Sequence, residues 1–245
     1  MFTKQTFYKS LVASVTLLAL TGCPFDDDDD DSPTPVAMPD PAPAPTPTEY
    51  SYEVSVINLT NAQPLSPIAV ALHAENQLWT VGSPATEALE ILAEGGDNTM
   101  FLAQEGILAS GSGEGVVMPG MSGSVSVTTT DETATFVSIA TMLVNTNDAF
   151  SGLTGLDLSS LEVDSSRSYT LGSYDAGTEG NTEAAGTIPG PADGGTGYIA
   201  ERDDVDFVAM HPGVVSMDDG LTTSVLTQAH RFDNPTIRVT ITRTK

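Results

Sequence analysis

The sequence predicts an all-β protein, an antiparallel β-sandwich with one or two short helices in its connections. Three observations lead there. Apolar and polar residues alternate in several short runs, the period of a strand with one face on the core. The chain is rich in Thr, Ser, Val and Gly, with 40% hydrophobic and 6% aromatic residues, which suits pleated, half-buried surfaces. Only the stretch after Ser83 carries a long helical period.

Taken in order, residues 1–22 read as an export signal. Lys4 and Lys9 supply a positive start, and Leu11 to Leu20 is an apolar run too short for a permanent span. It ends in Leu20-Thr21-Gly22-Cys23, which resembles the bacterial lipobox. That resemblance implies that the Cys23 thiol is acylated and becomes the mature N-terminus. Several acyl chains at about 0.8 kcal/mol per buried CH₂ make such an anchor effectively permanent. Pro24, standing where an Asp resembles an inner-membrane retention signal, points to the outer membrane if the host is Gram-negative. Residues 23–48 form an acidic, Pro-rich tether. Asp26 to Asp31 is an unbroken acid run that repels itself, without the interleaved glycines of a calcium loop. Residues 41–47, Pro-Ala-Pro-Ala-Pro-Thr-Pro, are extended polyproline II.

The folded domain occupies residues 49–245. Tyr52, Val54 and Val56 alternate with Glu53 and Ser55 in a first strand, and residues 67–73 give a second. Ser83 as N-cap and Pro84 at the first position predict a helix ended by Gly95-Gly96. Ala85, Ala88, Leu89 and Leu92 make its apolar face, and Glu87, Glu90 and Glu94 its solvent face. Asp97 is placed to cap a second short helix towards Gly106. Val125 and Val127 mark another strand, and Ala134 to Val144, richer in apolar residues, a central one. Residues 145–200 read as long loops with short strand pieces at 156–158 and 169–171. Further runs follow at 205–210 and 221–226. Ile237, Val239 and Ile241 face one way in the closing strand at 236–242.

Charge excludes some functions. Acidic residues number 33 against 8 basic ones; without Lys4 and Lys9 the net charge is −27. Phosphate binding needs clustered Lys and Arg, so nucleic acid is excluded as a partner. Docking of the folded domain on anionic lipid is excluded for the same reason. Divalent cations and basic partners remain, beside plain solubility. Cys23 is the sole cysteine, so no internal disulfide forms.

The candidate site is the acidic loop Ser173 to Gly180. Asp175 and Glu179 stand four residues apart, with Gly177 between them to turn the backbone. Asp148 is a third acid to be brought there. Gathered acids repel unless a cation neutralises them, and calcium takes six to eight oxygens. The same residues also suit simple turn caps. No His or Cys cluster offers a zinc or copper site. His73, His211 and His230 lack metal or triad spacing and read as structural. Asp203-Asp204-Val205-Asp206 and Asp218-Asp219-Gly220 read as exposed turns. Residues 111–115 read as a flexible Gly-rich turn rather than a phosphate loop, and 120–124 lack the pattern of a nucleophile elbow. Trp79 is assigned to the core.

Six segments, in order, resemble bacterial spondin-domain proteins, related to the N-terminal domain of F-spondin and mindin. They are residues 65–67, 81–97, 137–143, 147–153, 174–179 and 235–240, so the likeness spans about residues 50–243. The resemblance implies a C2-like sandwich and one calcium ion held at Asp148, Asp175 and Glu179. Glu179 departs from the family's usual Asp, Ala149 replaces a common Trp, and the animal domains' paired cysteines are missing. Adhesion to animal receptors is therefore not implied. The expected function is a non-enzymatic, calcium-binding adhesion or ligand-binding module of the cell envelope, anchored to a membrane through Cys23, with an extracellular or envelope ligand. The alternatives are a structural envelope lipoprotein that contacts another envelope protein, and a hydrolase that uses the acids.

Overall fold

Alternation along the chain decides where the core lies. β1 (Tyr50–Asn58) buries Tyr52, Val54 and Val56 and exposes Glu53. The computed structural model describes residues 46–74 and 77–245. The expected export signal, Cys23, the Asp run and most of the Pro-rich tether lie outside the described residues. β2 (Ala69–His73) is buried along its whole length. Then come α1 (Glu87–Gly95) and α2 (Thr99–Leu102), followed by β3 (Ile107–Ser112), β4 (Ser122–Thr129), β5 (Phe136–Met142), β6 (Ala149–Asp157), β7 (Ser166–Leu171), β8 (Ser173–Asp175), β9 (Ala209–Met210) and β10 (Ile237–Arg243).

These strands form two antiparallel sheets, ordered β4-β1-β10-β7 and β3-β2-β5-β6-β8-β9. The architecture is an all-β sandwich with two short helices in one connection. The inner faces share a core that includes Val54, Val56, Leu72, Ile139, Val239 and Ile241. A second cluster packs α1 against the outer face of the larger sheet through Leu89, Leu92, Phe101 and Phe150. β5 is central, as its apolar run predicts.

Several elements differ from the sequence expectation. α1 starts at Glu87, because Thr86 rather than Ser83 is the N-cap and accepts from the Leu89 N–H. Gly96 ends the helix in the left-handed region, at φ 69°. Asn98, not Asp97, occupies the N-cap of α2, while Asp97 Oδ1 accepts from the Thr99 N–H. Gly111 and Ser112, expected in a turn, belong to β3. A Cβ at Gly111 would lie 2.7 Å from Val125 Cγ1, so glycine marks a close crossing of the two sheets and not a flexible hinge. β6 runs through a region expected to be loop. Its Gly152 backbone presses on the Ile139 carbonyl beside a register shift between Val137 and Ile139, and its small polar residues hide a strand of nine residues. Residues 221–226 are not a strand; Ser224 makes a single bridge to Ala184.

Register fixes the two ends of the sandwich. The chain enters β1 at Tyr50, opposite Thr129, and β10 returns so that Ser51 N–H meets the carbonyl of Lys245. At the far end Asn58 faces Ile237, Ile237 faces Leu171, and β8 follows at once. The acidic loop therefore sits at the end of the sandwich opposite the start of β1.

Candidate metal centre

The passage from β7 to β8 builds the acidic loop. β8 pairs with the start of β6, which sets Asp175 opposite Ala149, and the Ala176 N–H donates to the Asp148 carbonyl (3.3 Å). Gly177 then turns the chain at φ 72°, with its Cα against the Phe207 carbonyl, where any Cβ would collide. That turn aims successive backbone N–H groups at Asp148. Its Oδ2 accepts from Thr178 N (2.9 Å), Thr178 Oγ1 (3.3 Å) and Glu179 N (3.2 Å). Asp175 spends both oxygens on its surroundings: Oδ1 accepts from Gly177 N (2.8 Å) and Oδ2 from Asn181 Nδ2 (2.7 Å). Glu179 Oε1 accepts from Asn147 Nδ2 (3.2 Å).

The three acids named by the sequence thus share one neighbourhood, in different states. Asp148 is fully buried, and its Oδ1 has no hydrogen-bond partner. Glu179 Oε2, Asn147 Oδ1 and Glu94 Oε1 are likewise buried and partnerless. A buried carboxylate oxygen without a donor is costly. Burial, then the charge of Asp175, pushes the Asp148 carboxyl up to about 7, against the pull of its three hydrogen bonds. Burial also pushes Glu179 up to about 7, helped by the charges of Glu94 and Asp203. Glu94 is raised for the same foremost reason. A hard, oxygen-seeking cation would satisfy such oxygens and reverse these shifts. Among the described residues, no three His, Cys, Asp or Glu side chains are assembled as a metal-holding set; Asn147, an amide, contributes one of the unspent oxygens.

Two contributors escape sequence reasoning. The helical period assigns Glu90 and Glu94 to solvent, yet they are 3% and 1% exposed. The segment around 198–206 covers that face of α1. Arg202 donates to Glu90 Oε2, to the Ala85 carbonyl and to Asp206, and the Ile199 N–H donates to Glu94 Oε2 (2.9 Å). Nothing within one turn of α1 signals a cover contributed a hundred residues later. Asn147 had only its position beside Asp148 to mark it.

The remaining candidates have structural roles. Asp203 Oδ1 accepts from Gly180 N, Asp218 Oδ2 from Gln228 N, and Asp219 pairs with Arg231. His73 is buried with Nε2 at 2.8 Å from Ser138 Oγ. His211 is buried between Gly213 N and Asn181 Oδ1, and desolvation lowers it to about 4. His230 accepts from Thr227 N. Trp79 packs on Phe101 and Phe150. No helix among the described residues is long and apolar enough to cross a membrane.

A comparison with protein-family models finds no match, and a search of curated proteins finds no relative.

Proposed function

We propose that the chain is a lipid-anchored cell-envelope protein whose sandwich is a calcium-dependent, non-catalytic adhesion or ligand-binding module of spondin-domain type. Asp148 and Glu179 supply carboxylate oxygens to the ion, and Asp175 adds its charge while bracing the loop through Gly177 and Asn181. Asn147 and Glu94 offer further oxygen ligands. One observation carries this reading: Asp148 is fully buried with an unspent oxygen, beside further unspent oxygens in an acidic chain. Removing a carboxylate from water without a counter-charge is unfavourable by several kcal/mol, and a bound cation offsets that cost.

Two carboxyls raised towards neutrality would also suit general acid–base chemistry. Burial favours binding over catalysis at Asp148, since a catalytic carboxyl must reach a substrate proton and Asp148 is 0% exposed. The position of the loop adds support. It lies at the end of the sandwich opposite the start of β1, clear of the residues that precede the domain's first strand.

The test is thermal unfolding of residues 49–245 with millimolar calcium and with chelator. A ligand that binds the native state alone raises the midpoint, by about 1.4 kcal/mol for each tenfold excess over Kd. Equal midpoints at saturating calcium would refute the site.

A further inference from the structure

We propose that a groove on the flank of the sandwich, between β6, β7 and the segment before α1, is a binding site for a neutral saccharide. The groove has a volume of about 460 Å³, within the size range of small-molecule sites. Its walls include Trp79, Val81, Leu153, Leu171, Tyr174 and Gln77, and among the described residues none that lines it is charged. In a chain of net charge −25 an uncharged recess selects against cations as well as anions. The walls are amphipathic. Tyr174 stacks on Phe150 at 5.2 Å between centroids, and Trp79 meets both rings edge-on, at 5.4 Å and 6.1 Å. No hydrogen bond to another described residue engages the Trp79 indole N–H or the Tyr174 hydroxyl, and neither is a buried partnerless atom, so both polar tips meet solvent in the groove. Gln77 Oε1 accepts from the Thr80 hydroxyl, and its amide N–H groups donate to no described residue.

Packed aromatic rings with unspent polar tips, beside aliphatic walls, match a sugar ring, which shows apolar C–H faces and hydroxyl edges. An apolar peptide would leave the indole, phenol and amide groups unmatched, and an ionic ligand would find no counter-charge. None of the acids of the candidate metal centre lines the groove, although Tyr174 directly precedes Asp175 in β8.

Trp79 is the sole tryptophan in the chain and lines the groove, so its emission reports on binding there. The domain is titrated with maltose, cellobiose and diacetylchitobiose, and with a capped neutral tripeptide, in calcium and in chelator. At least one disaccharide should shift the emission saturably, with Kd on the order of 1 mM, in both conditions. Tyr174→Phe keeps the ring stack and deletes the hydroxyl; it should weaken that binding about fivefold with an unchanged melting midpoint. Gln77→Ala, at an exposed position, should weaken it similarly. The proposal is overturned if no disaccharide shifts the emission up to about 50 mM, if only the tripeptide does, or if both variants bind as the parent does.

Discussion

Replacing Asp148 by Asn separates a metal ligand from a turn cap. The amide oxygen of Asn can still accept from Thr178 and Glu179, so the loop keeps its cap, while the charge and the partnerless Oδ1 are lost. Asp148 is fully buried, and its carboxyl stands at about 7 against an ordinary 3.8. At about 1.4 kcal/mol per tenfold, holding it ionised above pH 7 costs roughly 4 kcal/mol at most. Half of that, about 2 kcal/mol, raises the midpoint of a domain this size by about 4–8 °C. Asp148→Asn should therefore be more stable than the parent in chelator at pH 8, and should lose most of its response to calcium. Scanning calorimetry of both proteins, with and without calcium, reads both effects. A variant destabilised equally in the two conditions would show that Asp148 is a structural cap, and the metal argument would fail.

Three other outcomes are expected. Asp148 and Glu179 both titrate higher folded than unfolded, so the folded protein holds the extra protons and stability falls as pH rises through the window from about 4 to about 7. His211 opposes this below 6.5, because its buried neutral form is stabilising only where the unfolded histidine is also neutral. Between pH 6.5 and 8 the chelated protein should thus lose stability, calcium should flatten the curve, and calorimetry in two buffers should detect on the order of one proton released per ion at pH 7. Gly177→Ala meets both a positive φ and the Phe207 carbonyl; it should cost about 2–3 kcal/mol and weaken calcium binding more than Asp218→Asn, as isothermal titration would show. Arg202→Met leaves Glu90 buried without its counter-charge. Because the arginine is 27% exposed, the cost should be about 2–3 kcal/mol rather than the larger figure for a wholly buried pair, and a second change, Glu90→Gln, should recover part of it in urea unfolding.

The sandwich itself was legible in the chain because strand periodicity is local. Tyr52, Val54 and Val56, or Ile237, Val239 and Ile241, declare a buried face within a few residues. Asp175 and Glu179 were legible as candidates from the glycine turn and their spacing, and Asp148 from the resemblance to spondin domains. Other features depend on partners distant in sequence. β3 and β6 are concealed by Gly111 and Gly152, which are small because another strand passes close by. Glu90 and Glu94 follow the exposed period of α1, yet the segment around Arg202 buries them. Which oxygens remain unspent around Asp148, and which side chains line the groove beside Trp79, follows from pairing between residues tens to a hundred positions apart. Periodicity records which way a side chain points; only the tertiary structure decides what stands in front of it.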